Sequence, residues 1–144
     1  MKWLPALAIA LALAGCVGPA PTTSEYAGKA AHTAGEALAQ VETARLAVEH
    51  SSGMSSQYLE TVLVNAEQAF SSIQNTFDSI QPPADPAADK LRSQLDKLLS
   101  DGADGLAQLR ILARRGDTEA MASTAHDLGR TATGLKSFHQ EHES

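Results

Sequence analysis

Two histidines near the C-terminus have the spacing of a metal-binding pair. His139 and His142 are three residues apart, so a helix would carry both imidazole rings on one face. Imidazole nitrogens are common ligands of Zn²⁺, Cu²⁺ and Ni²⁺. Because chain ends fray, we expect residues 140–144 to be loose and interpret the pair as part of a solvated tail. Metal binding through His139 and His142 is the alternative.

The other residues with catalytic or redox chemistry do not form a recognisable active site in the sequence. His126 and Asp127 resemble a base and its orienting carboxylate, but adjacent helical side chains do not face each other, and no nucleophile motif accompanies them. Met54 or Met121 could ligate haem together with a histidine, but the chain lacks the Cys-x-x-Cys-His motif of covalently bound haem. We therefore expect no enzymatic activity and no cofactor.

The only cysteine of the chain follows an apolar N-terminal segment. Met1 and Lys2 form a short cationic start, and residues 4–14 are uncharged and rich in Leu and Ala. This apolar run is shorter than the ~20 residues that a membrane-spanning helix needs. Its length instead fits the hydrophobic region of a secretory signal peptide. Cys16 comes directly after Gly15, where such a signal would be cleaved.

The segment resembles the signal peptides of bacterial lipoproteins, whose lipobox is Leu, a small residue, Gly or Ala, and then Cys. Leu13, Ala14, Gly15 and Cys16 match all positions of this motif. The resemblance covers only the export signal. It implies that Cys16 carries a diacylglyceryl group on its sulfur, that the chain is cut between Gly15 and Cys16, and that the new amino terminus is open to acylation. The mature protein would then be anchored to a membrane of the cell envelope, on the extracytoplasmic side.

An ordinary secreted protein is the main rival to this interpretation. A general signal peptidase could cut after Ala12 or Ala14, but Cys16 would then remain a free thiol in an oxidising compartment, which is unusual. Position 17 is Val, whereas an Asp at that position is associated with inner-membrane retention in the lipoproteins that the signal resembles. The sequence therefore lacks that sorting signal.

Composition limits the partners of the mature chain. Removal of residues 1–15 takes away one charged residue, Lys2, so the net charge changes from −6 to −7. An acidic chain lacks the basic footprint of a nucleic-acid-binding protein. It is also mildly repelled by anionic lipid, so the acyl chains on Cys16 must supply the attachment. We expect the membrane as one partner and a protein as another, which the sequence does not identify.

Capping signals divide the mature chain into a tether and four helices. Residues 16–21 form the lipidated tether, in which Pro19 and Pro21 disfavour helix. Thr22 with Glu25 makes a capping box, and Asp85 precedes a proline at the first position of another helix. The predicted helices span approximately residues 22–50, 55–81, 86–115 and 118–139.

Apolar side chains recur every three or four residues in these segments, most regularly in the second helix. The sequence therefore predicts an all-α protein, in which an antiparallel up-down four-helix bundle over residues 22–144 follows a cleaved signal peptide over residues 1–15. The first helix is rich in alanine and contains Gly28 and Gly35, so its first three turns could fray or act as a spacer. The alternative fold is a three-helix bundle with an N-terminal helical arm.

These observations favour a membrane-anchored lipoprotein that acts as a non-catalytic binding or scaffold module of the cell envelope. The alternative is a metal-binding envelope lipoprotein that uses the histidines near its C-terminus.

Overall fold

A computed structural model describes residues 21–143. The predicted signal peptide, Cys16 and the tether as far as residue 20 lie outside this part of the chain, as does Ser144. Residues 21–143 form four α-helices and no strand, which confirms the all-α expectation. None of these helices is both long and apolar enough to cross a bilayer. The helices are α1 (Thr23–Glu49), α2 (Ser56–Asp78), α3 (Pro86–Arg115) and α4 (Thr118–His142), with a short 3-10 turn (Ser51–Gly53) after α1.

The helices begin at the caps that the sequence predicts. The Thr22 hydroxyl accepts a hydrogen bond from the Glu25 N–H at 3.2 Å, and the Glu25 carboxylate accepts one from the Thr22 N–H at 2.8 Å. This capping box satisfies amides that have no partner within the helix. The N-caps of the other three helices are Ser55, Asp85 and Asp117.

Two helix ends differ from the prediction. α2 ends at Asp78 rather than near Gln81, and the Ser79 hydroxyl donates a 2.6 Å hydrogen bond to the Thr76 carbonyl at this end. The carbonyl of Ile80 instead accepts a hydrogen bond from Arg92 Nη1 at 2.9 Å. α4 continues to His142, so the expectation of a loose tail from residue 140 was wrong over most of that segment.

Neighbouring helices run in opposite directions. α1 and α4 are antiparallel, since Gly35 lies against His139 whereas Arg45, further along α1, lies against Gly129. α1 also contacts α2 and, diagonally, α3. The remaining antiparallel contacts join α2 to α3 through the pairs Glu67–Arg110 and Glu60–Arg114, and α3 to α4 through the pairs Leu98–Gly134 and Gly105–Leu128.

The alternative with an N-terminal arm is wrong, because α1 packs along its whole length. Tyr26, Ala30, Ala34 and Ala37 are each 0% exposed. The small alanine side chains remove little apolar area each, but they let α1 approach its neighbours closely enough to be covered by them. α1 is therefore a full member of the four-helix bundle rather than a spacer.

The apolar seams of α2, α3 and α4 form the core, whereas Leu46 of α1, which its spacing would place in the apolar face, is 52% exposed. In α3, Leu99 is buried and the neighbouring Leu98 is only partly covered. The largest fully buried side chains are Tyr26, Val41, Leu63, Phe70, Phe77, Leu95, Leu99, Leu106, Leu109 and Leu135.

Candidate functional site

The bundle end at which α1 begins is, along the chain, the one nearest to the predicted lipidation site. We call it the proximal end; it also contains the loop over residues 79–85 between α2 and α3, and the C-terminus of α4. The Thr23 hydroxyl donates a 2.6 Å hydrogen bond to the Asp85 carboxylate. This bond, together with one from the Ala87 N–H, holds the pKa of Asp85 below its ordinary value. The start of α1 is thereby joined to the start of α3.

The predicted lipidation site itself, Cys16, lies outside the described residues. Lipidation at Cys16 therefore stays a prediction from the sequence. Its nearest described neighbour in the chain is Pro21, which immediately precedes the Thr22 cap. A lipid on Cys16 would thus be separated from a firmly capped helix by a short tether alone.

An aromatic cluster closes the core behind the proximal end. The ring centroids of Tyr26 and Phe77 are 6.0 Å apart, and the Arg92 guanidinium lies 5.5 Å from the centroid of the Phe77 ring. The Tyr26 hydroxyl is buried and has no hydrogen-bond partner within residues 21–143. Burial raises the pKa of this phenol, and the neighbouring Arg92 charge opposes that rise. The cluster has the features of a structural core.

Removing the buried hydroxyl is expected to stabilise the bundle. An unpaired buried polar group costs about 1–3 kcal/mol, so Tyr26→Phe should raise the free energy of unfolding by an amount of that order, measured by urea denaturation. The matched control is Tyr58→Phe, because Tyr58 is 58% exposed and its change should stay within about 0.5 kcal/mol. A loss of stability in Tyr26→Phe would show that the hydroxyl forms a favourable contact.

His139 is held in the bundle, so its interpretation as part of a solvated tail was wrong. Its Nδ1 lies 2.8 Å from the carbonyl oxygen of Ala31 and therefore donates its proton there. The ring fits against α1 because Gly35 has no side chain: a Cβ at that position would lie 3.2 Å from the imidazole. The other nitrogen, Nε2, lies 3.3 Å from the Glu143 carboxylate.

His139 and His142, the ligands of the alternative metal site, do not form one coordination site with further ligands within residues 21–143. The His142 ring packs on Phe138, with centroids 4.7 Å apart. Within residues 21–143 no group of three or more His, Cys, Asp or Glu side chains is arranged to hold a metal ion. His139 Nε2 nevertheless faces away from the Ala31 hydrogen bond, which is how backbone carbonyls orient metal-binding histidines.

The exposed side of α2 is uncharged over most of its length, which was not predicted from the sequence. The sequence shows acids but no base in this helix, and two of those acids, Glu60 and Glu67, pair with Arg114 and Arg110 of α3. The exposed residues between Glu60 and Asp78 are all uncharged: Thr61, Asn65, Gln68, Ser71, Ser72, Asn75 and Thr76. We call them the neutral face of α2.

The neutral face contrasts with the surfaces of the other helices, which carry exposed charges along their length, such as Lys29, Asp101 and Arg130. A shallow depression of about 560 Å³ lies on it, lined by five of its residues and by Ser79 just beyond the end of α2. In the sequence, this face is indicated by the absence of charged residues at the solvent-facing positions of α2 between Glu60 and Asp78. Those positions can be recognised once the apolar residues show which side of the helix is buried.

Known proteins do not extend these observations. We compared the chain with protein-family models, with curated proteins and with solved structures, and no match was found in any of the three comparisons.

Proposed function

We propose that the protein is a lipoprotein of the bacterial cell envelope that acts as a non-catalytic binding or scaffold module. In this proposal the lipid on Cys16 holds the bundle on the extracytoplasmic side of a membrane. The observation that carries it is the lipobox Leu13-Ala14-Gly15-Cys16 behind a cationic start and a short apolar run. The capped start of α1 at Thr22 supports it, because a folded domain begins only a few residues after the lipidated cysteine.

The energetics of acylation favour stable attachment. Each buried methylene contributes roughly 0.8 kcal/mol, and a second acyl chain converts marginal binding into lasting anchoring. The mature chain has a net charge of −7 and no basic cluster in its tether. Attachment would therefore depend on the acyl chains and vary little with salt or with the anionic lipid content of the membrane.

A role in binding is supported by the neutral face of α2. Moving hydroxyl and amide groups out of water costs much less than moving ionised groups, so a partner can cover this face at lower cost than the charged surfaces of α1, α3 and α4. Its Ser, Thr, Asn and Gln side chains can both donate and accept hydrogen bonds. We therefore propose that the partner binds to the neutral face of α2.

Mass spectrometry of the protein purified from membranes tests the anchor. We expect the mature N-terminus to be Cys16, with a mass increase that corresponds to a diacylglyceryl group and, where the amino terminus is acylated, to a further fatty acid. An N-terminus at another residue, or a bare thiol on Cys16, would contradict the proposal.

Site-specific crosslinking in cells tests the binding surface. A photoreactive amino acid at Gln68 or Asn75, both exposed on α2, should give one recurring adduct. The same amino acid at Ser123, which is exposed on α4, is the matched control and should not give that adduct. Equal labelling from α2 and α4 would show that the neutral face is not a specific contact surface.

The second candidate is a metal-binding lipoprotein, and the orientation of His139 is the observation that favours it. Its Nδ1–H is engaged by Ala31, which leaves Nε2 beside Glu143 as a ligand. Titration with Zn²⁺, Cu²⁺ or Ni²⁺ should then show micromolar binding that disappears in a variant combining His139→Ala with His142→Ala. The control combines His32→Ala with His126→Ala, since both of these histidines are exposed. Binding lost equally in both variants would contradict a site at the C-terminus.

A further inference from the structure

The α2–α3 loop, residues 79–85, is fixed to the end of the bundle at which the tether begins. Asp85 accepts a hydrogen bond from Thr23 of α1 at 2.6 Å. Arg92 of α3 donates to the carbonyls of Ile80 at 2.9 Å and Asp78 at 3.4 Å. The loop therefore moves with the start of α1 and not independently of it.

The number of residues between Cys16 and the start of α1 limits the distance between this loop and a lipid on Cys16. Residues 17–21 separate Cys16 from Thr22, and an extended chain spans at most ~3.6 Å per residue, so the tether reaches about 20 Å. The opposite end of the bundle is much further away, because α3 has 30 residues and a helix of that length extends about 45 Å. Only the proximal end can reach the bilayer surface while the bundle stands upright on its tether.

The loop has the composition of a surface that can enter the interfacial region of a bilayer. Residues 79–84 are Ser, Ile, Gln, Pro, Pro and Ala, without a charge. The carboxylates at its two borders are both engaged, Asp78 by Arg92 at 3.8 Å and Asp85 by Thr23 and the Ala87 N–H. At the other end of the bundle, residues 50–55 carry no Asp, Glu, Lys or Arg, but the turn between α3 and α4 is bordered by exposed charges, including Arg115, Asp117 and Glu119. Desolvation therefore disfavours contact of the α3–α4 turn with lipid.

We propose that the α2–α3 loop rests on the lipid surface, so that the bundle stands upright and presents the turns over residues 50–55 and 116–117 away from the membrane. This inference rests on the proposed lipid anchor and adds the orientation of the bundle. The contact is apolar rather than electrostatic, because residues 79–89 contain no Lys or Arg. The neutral face of α2 then stands roughly perpendicular to the bilayer, open to a partner alongside it.

Depth-dependent quenching on the lipidated full chain tests this orientation. With the sulfur of Cys16 acylated, a cysteine introduced by Ala84→Cys is the only free thiol and can carry a fluorophore. The matched control is Ser52→Cys in the opposite turn; both positions are exposed. In phosphatidylcholine vesicles that contain spin-labelled lipid, we expect several-fold stronger quenching at position 84 than at position 52. Replacement of part of the phosphatidylcholine by phosphatidylglycerol should leave that ratio unchanged.

The outcomes separate the orientation from the anchor. Equal quenching at both positions would show that the bundle lies flat, and absence of quenching at position 84 in vesicle-bound protein would show that the loop stays in water; either result overturns the orientation and leaves the anchor standing. If the unlabelled chain fails to float with vesicles, the anchor itself is overturned, and the orientation with it. A dependence of the quenching ratio on anionic lipid would contradict an apolar contact.

Discussion

Cys16→Ser is expected to abolish lipid attachment and cleavage between Gly15 and Cys16. A hydroxyl does not replace the thiol as acceptor of the diacylglyceryl group, so the chain loses all the acyl methylenes, each contributing roughly 0.8 kcal/mol of membrane affinity. For two long chains the sum is on the order of 10 kcal/mol or more, which is far more than any single contact in the bundle contributes. Protein freed of its signal should partition into the aqueous phase of a detergent-phase separation, whereas the native protein enters the detergent phase.

The mass of the N-terminus must be measured together with the partitioning. An uncleaved Cys16→Ser precursor keeps its apolar residues 4–14, and these alone can carry it into the detergent phase. Val17→Ser is the matched control: it makes a comparable change one position later, leaves the lipobox intact, and should retain lipid mass and native partitioning. If Cys16→Ser is still processed at the same bond and fractionates with membranes as the native chain does, the lipoprotein hypothesis fails.

The sequence predicts the helices well where the deciding interactions are local. A hydroxyl or carboxylate two or three residues before a free amide is sufficient to place a cap, and this is why the caps at Thr22 and Asp85 could be predicted. The seams of α2 to α4 were found because Leu and Phe at helical spacing bury the same face in almost any bundle.

The role of α1 was harder to predict because alanine does not indicate whether a helix face is buried or exposed. An alanine stripe is compatible with an exposed spacer or with a tightly packed interface, and only the neighbouring helices decide between them. The same holds for Gly35, which appears as a weak point of the isolated helix but gives space to His139 of α4. That pair is separated by more than a hundred residues, so no local pattern reports it.

The functional predictions likewise divide into those made from a local motif and those that require the folded structure. The lipobox is a contiguous motif, so lipidation at Cys16 can be predicted from the sequence, although Cys16 lies outside the described residues and the prediction is not tested by them. The neutral face of α2 is a property of a surface, and it required knowledge of which residues face water and of the pairing of Glu67 with Arg110. That hydrogen bond also raises the pKa of the Arg110 guanidinium.

The largest expected effect on stability is at the contact between Phe70 of α2 and Gly102 of α3. Phe70 is 1% exposed, and a Cβ at Gly102 would lie 2.6 Å from Cζ of its ring. Phe70→Ala leaves a cavity where α2 meets α3, so we expect a loss of about 3–5 kcal/mol in the free energy of unfolding. That is a large part of the roughly 5–15 kcal/mol that stabilises a typical domain, and urea denaturation followed by circular dichroism measures it.

Adding a methyl group at the other side of this contact, by Gly102→Ala, distinguishes the effect of packing from that of helix propensity. Gly→Ala in a helix interior normally stabilises by about 1 kcal/mol, and Gly28→Ala should do so because no atom lies within 4 Å of the added Cβ. Gly102→Ala should instead destabilise, since overpacking costs typically 1–3 kcal/mol and the ring that must shift is only 1% exposed. In a Phe70→Leu background the penalty of Gly102→Ala should shrink, because the shorter side chain leaves room for the methyl group. If Gly102→Ala stabilises as much as Gly28→Ala, the close approach of α2 and α3 at this point is wrong.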